Sequence, residues 1–259
     1  MPYLFALQEL PGKASLLFPI FLFAAFLLSS HTAAAQQMRP AGSVRLTQPQ
    51  QAKEGQELNL LEQRLLQEGL VDVRRLDPTI VVELKYAAAD NFMGVNIYQG
   101  LTQAYLRTEA AGKLALANRI LHERHPNLRI LVGDAARPRF VQQQMWKLVA
   151  GTPKQPYVAN PKTGSMHNHG AAVDVTLVDV NTGERLDMGT PLDHFGPLAQ
   201  PLLEDRYLRE GKLSARQIEN RLILRKVMVD AGWHPLGIEW WHFDAHPKEY
   251  VRLNYPIIE

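Results

Sequence analysis

The sequence predicts an α+β fold, a single domain with a central, mostly antiparallel sheet flanked by helices. Three observations carry this. Between residues 57 and 259, segments of helical period and segments rich in β-branched residues alternate irregularly, without the strand–helix–strand rhythm of a parallel sheet. The same stretch has no internal repeat and no composition that reads as an interdomain linker. Hydrophobic residues make up 46% and charged residues 21%, which supplies an ordinary core and excludes a disordered chain.

The chain opens with an address. Lys13 precedes the uncharged run LLFPIFLFAAFLLSS at 16–30, and Thr32-Ala33-Ala34-Ala35 follows. A basic residue, a short apolar run and a small-residue site predict a signal peptide over 1–35, cleaved after Ala35. The run falls short of the ~20 residues a membrane-spanning helix needs, and Pro19 weakens it further. The rival is an uncleaved anchor. Export, to the periplasm, is the expected localisation. Residues 36–56 are Gln-rich and short of apolar side chains, and predict a flexible arm or linker. The domain proper is predicted over 57–259.

Leu58, Leu61, Leu65 and Leu66 recur at helical spacing, with Gly69 as the stop. Val71–Leu76 and Thr79–Tyr86 are rich in β-branched residues and predict strands. A long helix is expected from about Thr108 to Glu123. Leu128–Val132 (LRILV) predicts a buried strand. Pro138 suits a helix start, and Phe140–Ala150 continues it. Ala171–Val178 predicts a strand and 180–184 (VNTGE) its turn. Ser214–Ala231 is helical, with Ser214 as N-cap, Gln217 as its capping-box partner and Gly232 as terminator. Ile238–Phe243 predicts a final strand.

No cysteine is present. That excludes disulfides, thiolate metal sites, a thiol nucleophile and a lipid-modified cysteine after the leader. A formal net charge of +2 gives no reason to expect a nucleic-acid partner.

Nine histidines are present. His122-Glu123-Arg124-His125 imitates the H-E-x-x-H metallopeptidase helix, but the spacing is one residue short. Its basic residues suit a helix C-terminus, so it is read as a helix end. The segment Ser165 to Asp174 (SMHNHGAAVD) differs. His167 and Asp174 could reach one cation if the chain turns at Gly170; in a pure strand their odd separation would put them on opposite faces. Asp174 stands among apolar residues, where a carboxylate must be paired, protonated or metal-bound. Glu239-Trp240-Trp241-His242 offers a further imidazole and a free carboxylate. Two imidazoles and one carboxylate would leave a tetrahedral zinc one open position, and a separate Glu could take a proton from water. Here too a turn or bulge is needed. The alternative is a Trp-rich core strand with an internally bonded His242. Arg137, before the helix starting near Pro138, could hold an anionic oxygen or make a surface ion pair.

Together these segments resemble the zinc D-alanyl-D-alanine dipeptidases, typified by the vancomycin-resistance dipeptidase, within the wider fold family of D-Ala-D-Ala carboxypeptidases and the hedgehog signalling domain. The family pattern S-x-H-x-x-G-x-A-x-D appears as Ser165, His167, Gly170, Ala172 and Asp174. The pattern E-x-W-H appears as Glu239, Trp241 and His242. Leu84 to Gly94 (LKYAAADNFMG) and Asp187 to Asp193 (DMGTPLD) match further stretches of the dipeptidase branch. The aromatic that usually precedes the family's Arg is Ala136 here.

The resemblance implies one zinc ion on His167, Asp174 and His242, with Glu239 as the base. It implies that Arg137 stabilises the oxyanion, that Asp193 and Tyr86 hold the free amino end, and that Ser165 is a substrate-side contact. The implied partner is a small D,D-dipeptide. The activity expected is hydrolysis of D-Ala-D-Ala in cell-wall turnover or scavenging. Alternatives are a D,D-carboxypeptidase or endopeptidase of the same fold, or a non-catalytic zinc- or peptidoglycan-binding module.

Overall fold

A computed structural model describes residues 59–259. The leader and arm expected over 1–56 lie outside the described residues. Helix α1 (Leu60–Gln67) begins with a reciprocal cap. Glu62 N donates to Asn59 Oδ1 at 2.8 Å, and Asn59 N donates to Glu62 Oε2 at 3.1 Å. The helix ends as expected at Gly69, with φ +79°.

Strand β1 (Leu70–Asp72) is shorter than the expected Val71–Leu76. Arg74 N donates to Asp72 Oδ1 at 3.0 Å, and this local bond winds Val73–Arg75 into a 3₁₀ turn. The expected strand Thr79–Tyr86 likewise contracts to β2 (Val81–Val82), and Lys85–Ala87 is a 3₁₀ turn. Side-chain bonds outcompete strand propensity here. Asn91 Nδ2 donates to Ala88 O at 2.7 Å and Val95 O at 2.8 Å, folding the segment into a compact loop that carries Tyr86.

Strand β3 (Tyr105–Arg107), not expected from the sequence, pairs with β1 in a small antiparallel sheet. Helix α2 (Thr108–Arg124) follows, and strand β4 (Leu128–Asp134) returns parallel to β2. Helix α3 (Arg139–Val149) starts after Pro138. Strands β5 (Ala172–Asp179) and β6 (Glu184–Arg185) flank the expected turn. Helix α4 (Glu204–Arg209) precedes α5 (Ala215–Asp230), where the expected Ser214/Gln217 capping box is present. Strands β7 (His234–Leu236) and β8 (Glu239–Asp244) and helix α6 (Lys248–Asn254) complete the order. Of these, β6, α4, β7 and α6 were not expected, and Glu184 of the expected turn is the first residue of β6.

The main sheet runs β2-β4-β5-β8-β7, with β6 paired to β5, and every pair but β2–β4 is antiparallel. The expected α+β class holds. The core joins the sheet (Ile130, Val132, Val173, Val175, Phe243) to α2 and α5 (Leu114, Leu121, Leu224, Met228), all buried. Among the described residues no helix is long and apolar enough to cross a membrane. The central pair β4 and β5 is broken at Gly133 by a register shift, beyond which Asp134 faces Asp174. This bulge lies beside the site described next.

Candidate active site

One turn, one regular strand pairing and one bulge assemble the site. His167 lies on a 3₁₀ turn (Met166–His169) that ends at Gly170, with φ +68°. A Cβ at Gly170 would meet Leu70 Cδ2 at 2.9 Å, so the position is closed to larger residues in both backbone and space. Ser165 N donates to Asn168 Oδ1 at 2.7 Å, and Asn168 Nδ2 donates to Arg137 O, locking the turn. Asp174 and His242 are cross-strand partners on β5 and β8. The register between β7 and β8 then jumps: Pro235 faces Phe243, but Leu236 faces Glu239. That bulge supplies the irregularity that lets Glu239 and His242 share one cleft.

His167 Nε2, Asp174 Oδ1 and His242 Nδ1 form a triangle. Its edges are 3.3 Å (His167–Asp174), 3.0 Å (His242–Asp174) and 3.2 Å (His167–His242). A tetrahedral ion with bonds of ~2.0–2.1 Å has ligand–ligand edges of roughly 3.3 Å, so the spacing suits zinc. The outer nitrogens set the tautomers. His167 Nδ1 donates to Ala135 O at 2.7 Å, and His242 Nε2 donates to Asp244 Oδ1 at 2.9 Å. Both inward nitrogens are thereby left with lone pairs, as metal ligands require. Two imidazole lone pairs and a buried carboxylate oxygen cannot stay in contact without a positive charge between them.

The electrostatics agree. Burial opposes a charge on His242, yet Asp174 and Asp244 outweigh it and push its pKa up to about 10. Burial likewise works to raise the Asp174 pKa, but His167 and His242 hold it well below the usual carboxylate range. The cluster therefore demands a cation, whether a proton or a metal ion, and His167, Asp174 and His242 could hold the metal.

Glu239 Oε2 lies 4.0 Å from His242 Nδ1. Burial raises its pKa, against the pull of His242. Arg137 is buried beneath the cluster. Its Nε donates to Asp134 Oδ2 at 3.0 Å, its Nη2 donates to the same oxygen, and its Nη1 donates to Gln142 Oε1 at 3.1 Å. It also packs over the Tyr86 ring at 5.4 Å. Asp134 outweighs the burial cost and keeps the guanidinium charged. Tyr86 Oη donates to Asp193 Oδ2 at 2.8 Å. Asp193 sits at φ +60°, a conformation uncommon outside glycine. Enclosure, then the charge of Asp174, pushes its pKa up to about 7 despite the Tyr86 bond. Its loop is bolted down: Gln217 Nε2 donates to Asp187 Oδ2, Arg221 Nε to Met188 O and Trp240 Nε1 to Thr190 Oγ1, all within 2.8 Å.

All eight residues expected in the site (Tyr86, Arg137, Ser165, His167, Asp174, Asp193, Glu239 and His242) line one cavity of about 300 Å³. The His122–His125 segment stays apart from it, as expected: His122 is exposed and its Nδ1 lies 3.1 Å from Pro126 O.

A family model described as D-Ala-D-Ala dipeptidase matches residues 66–258. The chain belongs to this family. Curated relatives agree. The D-alanyl-D-alanine dipeptidase of Escherichia coli is 34% identical over 189 residues, covering 73% of this chain and 89% of its own. That of Enterococcus faecalis is 26% identical over 191 residues, covering 66% and 90%. That of Synechocystis is 32% identical over 176 residues, covering 56% and 71%. Membership in the D-Ala-D-Ala dipeptidase family makes the chain a peptidase of the metal-dependent class.

Four residues that orient the side chains of this dipeptidase-family cleft, of which only Asp244 lines it, escaped sequence reasoning. Asp134 and Gln142 orient Arg137, Asp244 orients His242, and the Ala135 carbonyl orients His167. Asp134 and Asp244 carried one available signal, an acid at the end of an apolar strand. Phe92, Tyr157 and Phe195 also wall the cleft, with Tyr157 stacked on Phe195 at 4.9 Å.

Proposed function

We propose that this chain is an exported zinc dipeptidase that hydrolyses free D-Ala-D-Ala in cell-wall turnover or scavenging. The observation that carries the reading is the His167–Asp174–His242 triangle, with Glu239 4.0 Å from it, in one cleft with the Asp193–Tyr86 pair.

His167, Asp174 and His242 would hold the zinc. When bound, the ion supplies Lewis acidity that polarises the scissile carbonyl and lowers the pKa of water toward ~7. Glu239 accepts the proton of the attacking water and returns it to the leaving amine. A carboxylate raised by burial suits both steps. Arg137 presents fixed positive charge to the oxygen that turns anionic. Its bonds to Asp134 and Gln142 are made before the reaction, so it need not reorganise during it. Asp193, held by Tyr86, takes the substrate ammonium. A group that needs a free amine at that point selects short, unblocked peptides over the interior of a chain. Ser165 lines the same cleft on the substrate side. Cleavage of the leader after Ala35 and passage to the periplasm complete the reading.

The test compares D-Ala-D-Ala, its N-acetylated form and a muropeptide ending in D-Ala-D-Ala. Free dipeptide should be hydrolysed best; preference for the blocked substrates would transfer the chain to the carboxypeptidases or endopeptidases. Metal analysis of the purified protein should find one zinc per chain. Sequencing the exported protein should start at Gln36, and an intact Met1 would sink the leader cleavage.

A further inference from the structure

The groups above account for the metal, the scissile bond and the amino end of a dipeptide. A free dipeptide also carries a terminal carboxylate. We propose that Lys248 and Arg252 receive that carboxylate and so make the cleft selective for a peptide that ends there. The inference rests on the dipeptide reading above.

Lys248 and Arg252 lie four residues apart on α6, one turn from each other on the same face. Both line the catalytic cleft. Both are exposed, and neither makes an ion pair among the described residues. The third cation of the cleft, Arg137, is instead committed to Asp134. The cleft lining also holds four acids, of which Asp174, Asp193 and Asp244 are bonded to His242 or Tyr86 and Glu239 lies near His242. Two positive charges without an acidic partner, at the rim of the cleft, suit an anion.

The placement also suits the far end of the substrate. Helix α6 packs against the turn that carries His167 and Ser165's neighbours. Asp193 comes from a different wall, the loop bonded to α5 and to Trp240. An ammonium at Asp193 and a carboxylate at α6 would fix which way a zwitterionic dipeptide lies across the metal. The reversed orientation would put like charges together at both ends.

The experiment measures steady-state kinetics on D-Ala-D-Ala and on its C-terminal amide. The proteins are the wild-type chain, the Lys248→Gln/Arg252→Gln double variant, and Lys226→Gln as control. Lys226 is an exposed cation on α5 outside the cleft. The double variant should raise KM for the acid with kcat nearly unchanged, by up to about fivefold per cation removed, the upper end for exposed charge pairs. The amide should be unaffected, which also shows that the variant is folded. High salt should raise KM for the acid in the wild type only. Equal changes for acid and amide, or no change for either, overturn the assignment while leaving dipeptide hydrolysis intact. A wild-type chain that hydrolyses neither compound overturns both readings.

Discussion

Asp174 and His242 face one another across two antiparallel strands, and their side chains meet at 3.0 Å on the side where His167 closes the triangle. The backbone ladder thus sets two of the three ligand positions before any metal arrives. The third depends on a turn, and the orientation of His242 depends on Asp244.

Asp244→Asn should therefore weaken zinc about 10–100-fold, the usual effect of losing a partner behind a ligand. Competition against a chromophoric chelator measures this. Asp174→Asn should weaken it further, because it removes the only anionic ligand. Equal affinity in Asp244→Asn and wild type would show that Asp244 does not orient His242.

Glu239→Gln should lower kcat by about 10²–10⁴ while zinc stays bound. Metal analysis and turnover on one preparation check both halves. Unchanged turnover removes Glu239 from the mechanism.

Arg137→Met should cost about 2.7–4 kcal/mol of transition-state stabilisation, seen as lost kcat. It also leaves Asp134 buried beside Tyr98 without its cation, so the fold should lose stability too. Thermal melts alongside kinetics separate the two effects. A fall in Tm without a fall in kcat per folded molecule would leave Arg137 a purely structural residue.

Two pH effects follow. The Asp193 pKa lies near 7, so the group gains its charge as pH rises through neutrality. KM for the free dipeptide should fall over that interval, and Asp193→Asn should abolish the step. In the metal-free protein His242 has a raised pKa of about 10. A raised histidine stabilises the fold fully below its unfolded value of ~6.5. That stability should be lost as pH climbs toward 10. With zinc in place of the proton, melts over the same range should stay flat, and zinc affinity should rise with pH.

Gly170→Ala should destabilise the fold by about 1–2 kcal/mol, the cost of a left-handed non-glycine residue, with more from the Leu70 contact. Zinc affinity should fall with it, because Gly170 ends the turn that holds His167. Calorimetry and chelator competition test the pair.

Helical periodicity and capping chemistry located α1, α2, α3 and α5 closely, since those signals lie within a few residues of one another. Thr79–Tyr86 misled, because its two ends are held by polar side chains outside it: Thr79 by Asp77, and the Lys85 carbonyl by Asn91, neither of which enters a count of β-branched residues. β3 and β7 were missed for a related reason. Each has three residues, too few for an alternation to show, and each is extended only because a partner strand binds it. The site itself was legible as residue types: imidazoles and carboxylates were the metal donors left in a chain without cysteine.

The sequence by itself determined the donor set, the need for turns near Gly170 and Glu239, and, through ordered motifs, the family. Only the tertiary structure decided that His167 Nε2 and His242 Nδ1 are the inward nitrogens. It also decided that Arg137 is clamped by Asp134, and that Lys248 and Arg252 open into the same cleft. Which nitrogen faces in, and which charge finds a partner, depends on hydrogen bonds between residues far apart in the chain. Local patterns carry no record of those distances.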